Sequence, residues 1–143
     1  MISITHFSTF EDGGAGRAAY RIHRSLVDHG ACLQLNSRLR VIHGSSSDPT
    51  VSSGEPDGHN WVWRRLRPRL ASFSPAGFDD GNPVLHSTCW PASGVGRELA
   101  QSHAEIVHLH WIGRAGLSIE EVGRLPQPLV WTLHDQWAFC GAE

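Results

Sequence analysis

Three stretches carry side chains that could do chemistry. HLH (108–110) and HD (134–135) place His108, His110, His134 and Asp135 at the ends of apolar runs, and GGAGRAA (13–19) sets glycines and Arg17 at the start of an amphipathic pattern. An imidazole that is neutral near physiological pH can donate, accept or ligate a metal. Glycines let a backbone approach a phosphate closely. A helix starting there adds N–H groups with no partner inside the helix and a partial positive charge.

The glycine stretch reads in three ways. Gly14, Gly16 and Ala19 satisfy the dinucleotide pattern G-x-G-x-x-G/A literally. Two features weaken that reading. STFED separates the expected strand over 2–7 from the glycines, and no acidic residue closes the second strand about 20 positions on. Arg38 and Arg40 lie near that place and could meet a 2′-phosphate, which keeps an NADP-binding oxidoreductase domain as an alternative. The second reading is a turn that merely begins a helix. The third is a loop touching the diphosphate of a nucleotide held mainly by another domain.

The histidines also divide. His108 and His110 are two apart on a strand and so share a face. With an Asp they could bind zinc or a hydrolytic divalent ion. HLHW, however, sits among bulky apolar residues with no carboxylate at a diagnostic spacing, so no metal is expected. For His108 the expectation is a core imidazole bonded to a backbone carbonyl. His110 is balanced between core and site, and His134 is expected to be functional.

These residues need elements to position them. ISITHF (2–7) predicts a strand, and 13–29 a helix with Ala15, Ala18, Ile22 and Leu26 on its inner face. Gly30 follows as a left-handed stop. ACLQLNSRLRVI (31–42) predicts a second strand with Leu33, Leu35 and Leu39 inside, and 44–60 a loop. Pro68 should kink or end any helix over 61–73. EIVHLHWI (105–112) and LVWTL (129–133) predict two more strands. Between them, Ser118 and Glu121 spell a capping box. Strands alternating with helices predict an α/β fold, a Rossmann-like parallel sheet. Its carboxyl edge would gather the glycine loop, His108, His110, His134 and Asp135 beside one crevice.

Composition narrows the class. Net charge is −2, charged residues are 18% and apolar residues 40% of 143, which describes a globular domain and argues against a general nucleic-acid binder. All twelve basic residues are Arg. Three cysteines without CxxC spacing give neither a disulfide framework nor a zinc ribbon. No secretory signal and no apolar run near the ~18 residues of a spanning helix is apparent, so a cytoplasmic protein is expected.

Together GGAGRAAYRIHRSL, AEIVHLHWI, LSIEEVGRL and PLVWTLHDQWAFCGAE resemble the amino-terminal domain of family 4 glycosyltransferases, nearest the colanic-acid and exopolysaccharide type. The likeness covers about 1–42 and 103–143 and leaves a variable, loop-rich insert at 44–100. It implies the acceptor-side half of a two-domain, retaining GT-B enzyme that transfers a sugar from a nucleotide-sugar donor to a glycan or lipid-linked acceptor, without a metal or other cofactor. Gly13, Gly14, Gly16 and Arg17 would approach the donor diphosphate. His134 would reach the donor sugar near the reacting carbon, with His110 and Asp135 on the acceptor or sugar side. The family's donor domain and the rest of the first sheet have no counterpart in 1–143, so the chain is expected to be a fragment without turnover of its own, and a non-catalytic nucleotide-binding module stays as a second alternative beside the NADP domain.

One stretch falls outside that scheme. WVWRRLRPRL (61–70) holds Trp61, Trp63, Arg64, Arg65, Arg67 and Arg69, and could dock on an anionic membrane face. The preferred alternative is a solvated helix with its Trp side chains inside.

Overall fold

The computed structural model describes residues 1–56, 61–71 and 89–140, with only the backbone at 61, 63, 64, 68, 71 and 140. The elements are β1 (Ile2–Phe10), α1 (Gly13–His29), β2 (Leu35–His43), β3 (Val51–Ser53), α2 (Trp61–Ala71), α3 (Val95–Ala100), β4 (Ile106–Leu109), α4 (Ile119–Gly123), β5 (Leu129–Trp131) and α5 (Trp137–Cys140). The strands form one parallel sheet in the order β3-β2-β1-β4-β5. This is the α/β, Rossmann-like arrangement expected. The chain builds outward from β1 to β3, then crosses back to β4 on the other side of β1. That reversal opens a crevice at the carboxyl ends of β1 and β4.

The register assigns residues to faces. His6 pairs with Leu39 and His108, and Phe7 pairs with Arg40 and Leu109. Side chains alternate along a strand, so Phe7, Val107 and Leu109 share one face. There they join the main core with Ile42, Val95, Leu99, Ile112, Leu117 and Trp137. The opposite face carries His6, Ser8, His108, Leu39 and Val41, and Ala19 of α1 packs on Leu39 and Val41.

Several boundaries differ from expectation. β1 runs to Phe10, so only Glu11 and Asp12 separate it from α1. The ladder to β2 reaches Phe10–His43, and Glu11 N donates to His43 O at 2.9 Å. Cross-strand pairing thus extends β1 past its β-branched run. Gly30 is right-handed, because the chain continues into a 3₁₀ turn over Gly30–Leu33 and leaves it at Gln34, where φ is 55°. Leu33 on that turn is 67% exposed and belongs to no core.

On α1 the fully buried positions are Gly16, Ala19 and His23, one step round from the predicted stripe. Within the predicted loop over 44–60, Val51–Ser53 adds an edge strand beside β2. The loop between them is closed by Asp48, which accepts from Thr50 N at 2.9 Å.

α2 continues past Pro68 to Ala71. A proline inside a helix costs ~3 kcal/mol, and tertiary contacts oppose that cost: Arg67 is buried, donates to the Ala115 carbonyl and pairs with Glu55 at 3.5 Å. The capping box at Ser118 and Glu121 forms as predicted. The Glu121 carboxylate also accepts from Ser93 N at 2.8 Å and Gly94 N at 2.7 Å, where α3 begins. One acidic side chain therefore caps two short helices. Among the described residues no helix is long and apolar enough to cross a membrane.

Candidate functional site

The site begins with α1. Gly13 adopts φ +74°, a left-handed turn that favours glycine, and a Cβ on Gly16 would lie 2.5 Å from the backbone of Phe10 and Glu11. The helix can start this close to β1 only because Gly16 has no side chain. Gly14 differs, since a Cβ there meets nothing within 4 Å and points into open space. Asp12, the N-cap, makes no side-chain capping bond, which leaves the first turn's N–H groups uncapped by it.

Opposite these glycines stand the residues that follow β4 and β5. His110 N donates to Phe7 O at 2.9 Å and Thr9 N to Trp111 O at 2.8 Å, so the β1–β4 ladder carries on past Leu109. Thr9 Oγ1 reaches the Trp111 and Gly113 carbonyls at 3.1 and 3.0 Å. Beyond them, Arg114 and Ala115 take positive φ values of 50° and 59°, turning the loop back. After β5, Asp135 accepts from Trp111 Nε1 at 2.9 Å and from Trp137 N at 3.0 Å. Trp131 Nε1 donates to His110 O at 3.0 Å.

The result is a cavity of about 530 Å³ lined by Gly13, Gly14, Gly16, Ser8, Asp12, Trp111, Arg114, His134 and Asp135, among others. The structure therefore brings together five predicted site residues: Gly13, Gly14, Gly16, His134 and Asp135. His110 stands one layer behind them, 2% exposed, with Nδ1 3.0 Å from His134 Nε2. Arg17 faces elsewhere. It lines a neighbouring cavity of about 810 Å³ with Arg21, Tyr20 and His43, between α1 and the end of β2.

Behind the cavity the imidazoles continue. His110 Nε2 lies 3.2 Å from His6 Nδ1, and the His108 ring stacks on His110 at 4.3 Å. His108 Nε2 meets Thr132 Oγ1 at 2.7 Å, a hydroxyl where a backbone carbonyl was expected. His23, on α1, bridges Ser37 Oγ and Thr50 Oγ1 at 2.8 Å each. Burial pushes His6 and His110 down to about 3, and the neighbouring imidazoles add to it: His108 and His23 on His6, and His108, His6 and His134 on His110. His23, His108 and His134 are also lowered, each chiefly by burial; Asp135 opposes the shift at His134. All five are neutral near pH 7.

His6, His108 and His110 each offer a nitrogen, all within 4.8 Å of one another. Their rings stand 4.3 to 5.4 Å apart and lie 28° to 40° from parallel. Both nitrogens of His110 are already engaged by imidazoles. A metal ligated by His110 would displace one of its two imidazole bridges, to His6 or to His134.

Sequence reasoning missed His6, Ser8, Trp111 and Arg114. Ser8 Oγ is fully buried, has no hydrogen-bond partner and lines the cavity. His6 and Ser8 alternate with Phe7 on β1, and pairing β1 with β4 would have set His6 beside His108.

The NADP reading loses its arginines. Arg40 lies on the far face of β2, where Nε and Nη2 pair with Glu98 at 2.7 and 2.9 Å, and exposed Arg38 shares that face. At the end of β2 the acidic group comes instead from Glu11, which accepts from Ser45 N and Ser46 N at 2.8 and 3.0 Å. Of the basic stretch, the side chains of Trp61, Trp63 and Arg64 lie outside the described residues. Arg65 and Arg69 are exposed, and Arg67 is withdrawn into the protein.

No family model matches the chain, and no curated protein and no solved structure matches it.

Proposed function

We propose that the chain is the acceptor-side portion of a retaining, hexosyl-type GT-B glycosyltransferase acting in polysaccharide assembly, with the donor diphosphate at the start of α1. One observation carries the reading: the glycine loop, the buried unpartnered Ser8 hydroxyl, Arg114 and His134 converge on one 530 Å³ cavity at the strand-order reversal. A diphosphate leaving group needs charge stabilisation, which a helix N-terminus and an arginine supply in place before reaction. His134 orients a sugar hydroxyl by hydrogen bonding and forms no covalent bond. In this reading a second domain holds most of the nucleotide, and no metal takes part.

Calorimetric titration with sugar nucleotides, their free nucleoside diphosphates and NADPH tests it. The expected result is weak binding of a nucleoside diphosphate, lost in Gly14→Asp, which adds a negative charge to the cavity lining at a position where a Cβ meets nothing within 4 Å. The matching sugar nucleotide should bind more tightly, and His134→Ala should remove only that increment. NADPH binding above every sugar nucleotide, or an increment untouched by His134→Ala, would contradict the proposal.

A further inference from the structure

The proposed function uses His134 but leaves the two imidazoles behind it without a role. They form a single row: His6 Nδ1 meets His110 Nε2 at 3.2 Å, and His110 Nδ1 meets His134 Nε2 at 3.0 Å. His6 and His110 are 0% and 2% exposed, so water does not interrupt the row.

Proton counting restricts the row sharply. A neutral imidazole carries one N–H and one lone pair. Each bridge needs one N–H facing one lone pair. If His6 donates from Nδ1, His110 accepts at Nε2 and must carry its proton on Nδ1. It then donates to His134 Nε2, and the proton of His134 is left on Nδ1. If the row runs the other way, every proton moves to Nε2 and His134 Nδ1 becomes a bare lone pair. With both bridges intact no third arrangement exists.

The buried end decides between the two. His6 Nε2 is buried and has no hydrogen-bond partner. In the outward row that atom is an unused lone pair, and in the inward row it is an unused N–H. Orphaned N–H groups are the rarer defect in folded proteins, and unfilled acceptors are better tolerated. The outward row is therefore favoured.

We propose that His6 and His110 are positioning residues that lock His134 as its Nδ1–H tautomer, so that the cavity meets a hydrogen-bond donor and not a base. The chemical partner is an oxygen acceptor, either a sugar hydroxyl or a phosphoryl oxygen of the ligand. Being neutral, His134 is also no net proton source, because giving up that proton would leave an anionic imidazolate inside the protein. Only the identity of the ligand oxygen rests on the transferase reading; the tautomer exists without any ligand.

Long-range ¹H–¹⁵N imidazole spectra of the full chain, recorded at mildly alkaline pH without ligand, test this directly. The expected pattern is protonated Nδ1 and bare Nε2 in His6, His110 and His134 alike, opposite to the Nε2–H form that free histidine prefers. His6→Phe, two rings from the cavity, should return His134 toward the Nε2–H form while amide spectra show an intact fold. His134→Ala provides a second variant, in which the signals of His6 and His110 should remain on Nδ1. An Nε2–H His134 in the unmodified chain, or one indifferent to His6→Phe, would overturn the lock. So would stoichiometric Zn²⁺ binding that shifts His6, His108 and His110 together, since that needs their lone pairs free. A correct tautomer with no nucleotide binding would sink the transferase reading and leave the lock standing.

Discussion

Two polar clusters are buried on opposite faces of the same sheet, and they are finished differently. Around Glu121 the carboxylate accepts from Ser118 N, Ser93 N, Gly94 N and Gly96 N, at 2.7 to 3.2 Å. Burial raises its pKa, but those N–H groups outweigh burial and hold it below the usual carboxylate value. The histidine face is neutral instead of charged and leaves two atoms, His6 Nε2 and Ser8 Oγ, without partners. A charge satisfied on every side ties short helices together. A row whose outer member, His134, lines a cavity beside the unpartnered Ser8 hydroxyl keeps capacity for a ligand. The difference separates a structural cluster from a candidate functional one without reference to any relative.

Removing Glu121 tests the structural half. Glu121→Ala strips the acceptor from two helix starts and should cost at least about 3 kcal/mol of unfolding free energy in a denaturant titration. A loss under ~1 kcal/mol would mean that the N–H groups find other partners.

The pH dependence separates the clusters next. His6 and His110 titrate near 3 when folded and near 6.5 when unfolded, so the unfolded chain binds more protons between those values. Stability is therefore complete above pH 6.5 and falls toward pH 3, by up to ~1.4 kcal/mol per pH unit for each histidine. His23 on α1, His108 beside them and His134 at the cavity shift the same way through burial, opposed by Asp48 and Asp28 at His23 and by Asp135 at His134. Glu121 contributes stability above its unfolded value of 4.5, lost only as pH falls through its lower folded value. Melting temperatures that stay level from pH 7 to 5 would contradict neutral burial of the histidines.

Smaller effects sharpen the boundary of the site. Gly16→Ala drives a methyl into the Phe10 and Glu11 backbone and should cost roughly 1–3 kcal/mol. Gly14→Ala, whose Cβ meets nothing, should be neutral or slightly stabilising, as scored by thermal melts. Ser8→Ala removes a hydroxyl that has no partner, so unfolding free energy should stay within about 0.5 kcal/mol while nucleotide affinity drops.

Much of this was legible in residue order. The alternation of strands with helices, the Ser118–Glu121 box and the meeting of glycines with His134 follow from periodicity, caps and the rule that ligands sit at strand carboxyl ends. What escaped depended on pairing. β1 gains Ser8 to Phe10 because β2 lies beside them, which no local propensity reports. His23 sits at the centre of the buried face of α1 because Ser37 and Thr50 satisfy both its nitrogens, an arrangement made across β2 and its loop. Arg40 looks like a phosphate ligand until Glu98 arrives from 58 residues away. His6 joins the site only through the register that sets it opposite His108.

Whether a nucleoside diphosphate binds at the start of α1 is read by mapping backbone amide shifts while it is added to the ¹⁵N-labelled chain. The largest shifts are expected at Gly13, Gly14 and Gly16, with smaller ones at His134 and Asp135. Shifts centred on Arg17, Arg21 and His43, or none at saturating ligand, would contradict binding there.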